Sequence, residues 1–94
     1  MFFHIINVMG NLLHRRFKNN LYTRKEVALH NNSLDCWIIA HKKVYDATPF
    51  INRHPGSSDV IIKKAGQDCT KDYDYHSKSS KKIWNNLHIG YIKS

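Results

Sequence analysis

Phe50-Ile51-Asn52-Arg53-His54-Pro55-Gly56-Ser57-Ser58-Asp59-Val60-Ile61 is the stretch on which the reading of this chain turns. It ends one short helix, holds a histidine in a turn fixed by proline and glycine, and opens the next helix at once. Twenty-two residues further on, His76 stands in Asp72-Tyr73-Asp74-Tyr75-His76-Ser77. Whether these two imidazoles face each other decides what the fold is and what it is for.

Ninety-four residues make one domain. A chain of this size buries only about 60–65% of the surface its unfolded form exposes, so a disulfide, metal or cofactor commonly completes the core. Cys36 and Cys69 sit in no CxxC and in no Cys/His spacing typical of zinc; they read as free buried thiols in a reducing compartment. A cofactor is then the expected staple. The formal charge is +8, but each half of the chain carries four more basic than acidic groups, with no basic arm. Without an aromatic–basic stacking pattern either, no nucleic-acid partner is expected. No nucleophile–base pair or carboxylate dyad stands out, so the chain does not read as an enzyme acting alone.

Residues 1–18 are expected to be an N-terminal extension and residues 19–94 the folded domain. Phe2, Ile5, Ile6, Met9, Leu12, Leu13 and Phe17 follow helical spacing, in a stretch short of the ~20 apolar residues that span a bilayer. Two readings of residues 1–17 stay open. They could lie on a membrane surface as an amphipathic segment helped by Arg15, Arg16 and Lys18, or extend without order because Gly10 and Asn11 weaken a helix there. With no secretory signal and no hydrophobic tail before Ser94, the expected location is intracellular, cytoplasmic or at the cytosolic face of a membrane.

Thr23-Arg24-Lys25-Glu26 is a capping box opening a short helix, with Val27 and Leu29 as its apolar residues. Residues 36–40 and 43–46 read as strands joined by a tight turn at His41-Lys42. Thr48-Pro49 starts one turn of helix through Asn52. Ser57 or Ser58 is expected to cap a helix over residues 59–65 that Gly66 stops. Asp68 or Thr70 caps another ending near His76. Residues 79–87 form a last helix with Ile83, Trp84 and Leu87 on one face, and residues 88–92 a closing strand. The class is α+β, a small mixed sheet with short helices.

His4, His14, His30, His41 and His88 have no distinguishing context and read as solvent or packing residues. His54 and His76 differ, each ending a short helix at a chain reversal, with Val60, Ile61, Ile62, Ala65 and Tyr73 between them. Such an arrangement forms two walls of an apolar slot with an imidazole on each. An empty slot would leave apolar surface wet, at about 25 cal/mol per Å². Haem is flat and apolar and has two open axial positions, and its propionates suit a polar rim such as Ser77 or Lys78. Two imidazoles would saturate the iron, which leaves electron transfer rather than oxygen or peroxide chemistry. No CxxCH motif is present, so the haem would be held non-covalently. On the residues alone the alternative stays open that both histidines are ordinary turn residues.

Residues 21–92 resemble the cytochrome b5 haem-binding domain through a set of motifs in the family's order. These are Tyr22-Thr23 with Glu26-Val27, His30-Asn31, Asp35-Cys36-Trp37, Lys43-Val44-Tyr45-Asp46, Phe50, His54-Pro55-Gly56, Ala65-Gly66-Gln67-Asp68 with Thr70, His76-Ser77 and Ile89-Gly90. The resemblance implies a haem crevice of four helices backed by a sheet, with haem b ligated by His54 and His76. It implies Phe50, Val60, Ile61, Tyr73, Ile83 and Leu87 as pocket lining, with Tyr75 preceding the second ligand. Ala40 and Ala47 would form the floor, Ser77 would reach a propionate, and Trp37 would lie in a second core beyond the sheet. It further implies a monomeric one-electron carrier between a reductase and an acceptor such as a desaturase or hydroxylase. A haem or small-ligand binding module without electron transfer is the alternative.

Three departures from the family pattern stand out. Ser57 replaces the second glycine of His-Pro-Gly-Gly; the segment before His76 is about two residues short and lacks a glycine; and the acidic collar typical of microsomal members is absent. Arg53, Lys63, Lys64 and Lys71 stand beside Asp59, Asp68 and Asp72 instead, so a partner with an acidic or neutral docking face is expected.

Overall fold

The computed structural model describes residues 19–53, 56 and 58–93. The expectations for residues 1–18, for the turn at His54 and Pro55, and for Ser57 lie outside the described residues. Among the described residues ten elements follow in chain order: β1 (Asn20–Tyr22), α1 (Arg24–Ala28), β2 (Asn31–Asn32), β3 (Asp35–Ala40), β4 (Lys43–Asp46), α2 (Thr48–Arg53), α3 (Asp59–Lys63), α4 (Thr70–Tyr75), α5 (Lys78–Asn86) and β5 (His88–Ile92). The strands form one mixed sheet in the order β1-β5-β4-β3-β2, with β1 parallel to β5 and the other pairs antiparallel.

The expected capping box is present. Thr23 Oγ1 accepts from the Glu26 amide at 3.0 Å, and the Thr23 amide donates to Glu26 Oε1 at 3.4 Å. Of its two expected apolar residues only Val27 is buried. Leu29 sits past the helix as its C-cap and is 75% exposed.

The β3–β4 hairpin turns on His41 and Lys42, at φ of 49° and 63°. Two left-handed residues match the twist of a two-residue hairpin, although neither is glycine or asparagine. Tertiary contacts hold the turn: the His41 amide donates to Thr70 Oγ1 at 3.0 Å and His41 Nε2 donates to Asp74 Oδ1 at 2.6 Å.

Side chains alternate along β3 and divide the interior in two. Cys36, Ile38 and Ala40 join Tyr45, Ala47, Ile51, Ala65, Cys69 and Trp84 on one face of the sheet. Trp37 and Ile39 join Val27, Val44, Ile89 and Ile92 on the other, with Tyr22 packed against them. Trp37 therefore belongs to a second core, as the resemblance implied. Cys36 and Cys69 are both buried and free.

Strands β1 and β2 were not foreseen. Strand β1 is short and half-exposed, and it is held by parallel pairing of Asn20 with Gly90 and Tyr22 with Ile92. Gly90 explains how it comes so close. A Cβ there would run into the Asn20 carbonyl oxygen and lie 2.7 Å from the Tyr22 ring.

Helix α3 stops at Lys63 rather than residue 65. The next amides fall back three residues instead of four, Lys64 to Ile61 and Ala65 to Ile62. Gly66, at φ 78°, then turns its amide onto the Trp37 carbonyl at 2.6 Å, which draws the chain off the helix and onto β3. Ser58 precedes α3 without a capping hydrogen bond from its side chain. Helix α5 begins one residue earlier than expected, because Ser77 rather than a later serine caps it.

Candidate functional site

The crevice opens on the side of the sheet that carries Ile38. Helix α2 brings Phe50 to it, α3 brings Val60 and Ile61, the end of α4 brings Tyr75 and His76, and α5 brings Ser80, Ile83, Trp84 and Leu87. It has two lobes that share Ile38, Phe50, Ile61, His76 and Trp84. One, of about 150 Å³, reaches Ala47 and Leu87. The other, of about 350 Å³, reaches Val60, Lys64, Cys69, Asp72 and Tyr75. Most of the lining is apolar, and much of it is open to solvent: Val60 is 63% and Ile83 49% exposed.

His76 is the imidazole on this apolar wall. It follows α4 with φ −79° and ψ 151°, so the chain leaves the helix in extended form. Its Nδ1 lies 2.5 Å from the Asp72 carbonyl oxygen. A carbonyl only accepts, so Nδ1 carries the proton, and in the neutral ring Nε2 keeps its lone pair. Backbone-anchored Nδ1–H is the usual support for a histidine that binds metal through Nε2. The Trp84 ring stands edge-on to His76, with centroids 5.6 Å apart. His54, the other expected ligand, lies outside the described residues; helix α2, which delivers the chain to it, ends at Arg53 with Phe50 on the crevice.

The other expected residues divide into three groups. Ala47, Phe50, Val60, Ile61, Tyr75, Ile83 and Leu87 come together on the crevice lining. Ala40 and Tyr73 lie behind it: Ala40 is fully buried in the sheet core, and the Tyr73 ring packs 5.2 Å from that of Trp84. Ser77 lines neither lobe. Its hydroxyl caps α5, accepting from the Ser80 amide at 3.3 Å and exchanging hydrogen bonds with the Ser79 and Ser80 hydroxyls.

Ile38, Trp84, Ser80, Lys64, Cys69 and Asp72 line the crevice without having been nominated. Ile38 was findable from period-two alternation opposite Trp37, and Trp84 from its helical face with Ile83 and Leu87.

Polar groups gather at the larger lobe. Lys64 Nζ pairs with Asp72 Oδ2 at 3.0 Å, and that hydrogen bond and charge raise the lysine pKa. Cys69 is pushed up to about 12, by burial first and then by the Asp72 charge, so it is a neutral thiol at physiological pH. Tyr45, beneath the crevice, is likewise raised to about 12 by burial. No His/Cys/Asp/Glu group suited to holding a bare metal ion occurs among the described residues. What the crevice offers is an apolar slot with an imidazole on its wall, which fits a flat apolar group carrying its own metal.

Comparison with known proteins agrees with this geometry. The family described as "Cytochrome b5-like Heme/Steroid binding domain" matches residues 23–93. Cytochrome b5 of Borago officinalis is 45% identical over 76 residues, covering 79% of this chain and 58% of the borage protein. A nitrate reductase [NADH] of Cucurbita maxima is 47% identical over 73 residues, covering 77% of this chain but 8% of that enzyme. Among solved structures, cytochrome b558 of Ectothiorhodospira vacuolata, a prokaryotic homologue of cytochrome b5, superposes with a TM-score of 0.70 at 32% identity. That match covers 78% of this chain and 98% of the bacterial one. The chain thus spans little more than half of the borage protein and a small part of the reductase.

Proposed function

Because the chain belongs to the cytochrome b5-like heme/steroid binding domain family, whose cytochrome b5 members bind haem b, we propose that it is a one-electron carrier with His54 and His76 as axial ligands. The observation that carries this reading is the His76 ring on the crevice lining, its Nδ1 proton committed to the Asp72 carbonyl so that Nε2 keeps its lone pair in the neutral ring. When bound, haem would supply the Fe(III)/Fe(II) couple. The chain's own part is to hold and shield. Phe50, Ile61, Ile83 and Leu87 would pack against the bound group and shield it from water, and the Asp72 carbonyl fixes the ring of His76.

An electron-donor reductase and an acceptor protein are the partners this role requires, with acidic or neutral docking faces. Acting alone, the domain would be a carrier and not a catalyst; the nitrate reductase relative has a matching segment inside a larger enzyme. Two free buried cysteines suit a reducing, cytosolic location. No helix among the described residues is long and apolar enough to cross a membrane. The alternative, a small-ligand binding module without redox function, is favoured by the family's description but not by the retained histidine pair.

Titration of the purified protein with haem tests the proposal. The wild type should give a low-spin bis-imidazole spectrum that sharpens on reduction, and His54→Ala and His76→Ala should each abolish it. An unchanged spectrum in either variant removes that residue as a ligand.

A further inference from the structure

We infer that the crevice mouth is a docking surface for a protein presenting a carboxylate-rich face, which narrows the partner of the carrier proposed above and rests on that reading. The inference comes from where the acidic side chains are spent. Glu26 is held in the capping box and Asp46 Oδ1 accepts from the Thr48 amide at 3.1 Å. Asp35 takes His30 Nδ1 at 2.7 Å and Asp74 takes His41 Nε2 at 2.6 Å. Asp68 accepts from the Thr70 amide and meets Arg24 at 3.5 Å, while Asp72 meets Lys64 at 3.0 Å. Among the described residues Asp59, on the first turn of α3, is the acidic side chain with no such partner.

The cations are not spent in this way. Arg53, Lys63, Lys71, Lys78, Lys81 and Lys82 surround the crevice helices, and none lies within 4.0 Å of a carboxylate among the described residues. Helical spacing sets three of them at the opening. Arg53 follows Phe50 by three residues, Lys63 follows Val60 by three, and Lys71 precedes Tyr75 by four, each partner being a lining residue. Asp59 and the two propionates of a bound haem would balance these three cations, and Lys78, Lys81 and Lys82 of α5 then leave the surround of the crevice net positive. Val60 and Tyr75, 63% and 93% exposed, supply an apolar centre inside this ring of charge. An apolar centre with a charged rim is the usual anatomy of a transient protein interface, and the sign of the rim selects the partner.

The test uses haem-loaded protein with an intact low-spin spectrum, so failure of haem binding is seen separately from failure of docking. An acidic flavodoxin and a basic cytochrome c serve as probes, with association followed by chemical-shift perturbation at 10 and 200 mM salt. The flavodoxin should bind, shift the amides of Lys63, Lys71 and Tyr75, and weaken about tenfold or more at the higher salt. Lys63→Glu/Lys71→Glu should lose the flavodoxin by a similar factor and gain the cytochrome c. Equal binding of both probes by the wild type would overturn the inference, as would an unchanged affinity in the variant. So would phosphatidylserine vesicles displacing the flavodoxin from the same amides, which would make the surface one for lipid.

Discussion

The two faces of the sheet differ in how far the chain finishes them. Behind β3, Val27, Trp37, Ile39, Val44, Ile89 and Ile92 close on one another, and the Trp37 ring is sealed by the His30 ring stacked at 3.6 Å and the Tyr22 edge at 4.9 Å. In front of it, Ile38, Ala47 and Trp84 make a floor whose walls stay apart, leaving lobes of about 150 and 350 Å³ with Val60 and Ile83 wet. The same strand feeds both cores by alternation, so the difference does not lie in β3. It lies in what covers each face: a continuous set of side chains behind, and in front four helices of five to nine residues. Helices this short are not stable by themselves and depend on packing for their order. One core is self-sufficient, and the other is built to be completed by a ligand.

Neighbouring residues can break this comparison. Ile38 and Ile39 are equally buried, at 2% each, and point to opposite faces. Ile38→Ala and Ile39→Ala should each destabilise the haem-free protein by about 2–5 kcal/mol in urea unfolding. Only Ile38→Ala should also weaken haem affinity. Comparable losses of affinity in both would mean the faces are not independent.

Haem itself should act next most strongly. At free haem one hundred times its dissociation constant, binding to the folded state alone stabilises by about 2.7 kcal/mol, read as a rise in melting temperature. The gain should vanish in His76→Ala.

The thiols sharpen the comparison through pH. Burial raises Cys36 to about 11 and Cys69 to about 12, against an ordinary value of 9.0 in the unfolded chain. The folded state therefore keeps protons that the unfolded state releases. The stability that the two protonated thiols contribute is full below pH 9, falls as pH rises from there, and is lost through about 11 to 12. Cys69→Ala should flatten part of that alkaline limb, measured as unfolding free energy against pH, and native protein at pH 8 should resist thiol alkylation.

The smallest effect belongs to the edge of the closed core. Thr23→Ala should cost about 1 kcal/mol through loss of the α1 cap, with the haem spectrum untouched.

Much of this architecture was legible before the structure. The capping box, the β3–β4 hairpin, the helix ending at His76 and the face of α5 all rest on local chemistry that four to eight residues carry. What escaped were features that exist only through distant partners. Strand β1 is three residues long and gains its form from Gly90, seventy residues away. The early end of α3 comes from the Gly66 amide reaching Trp37. Within the site, most of the lining residues that the family resemblance implied come together, whereas Ile38 and Trp84 were readable from periodicity but missed, and Lys64 and Asp72 escaped because their pairing joins two helices. His30 and His41 were passed over for the same reason, since their carboxylates and stacking ring lie in other segments or across a turn.

Amide hydrogen exchange on the protein with and without haem tests the unequal faces most directly. The account predicts that without haem the amides of Tyr73, His76 and Lys81 exchange at least tenfold faster than those of Trp37, Ile39 and Ile92, and that haem closes most of the gap. Crevice helices already as protected as the sheet in the haem-free protein would contradict it.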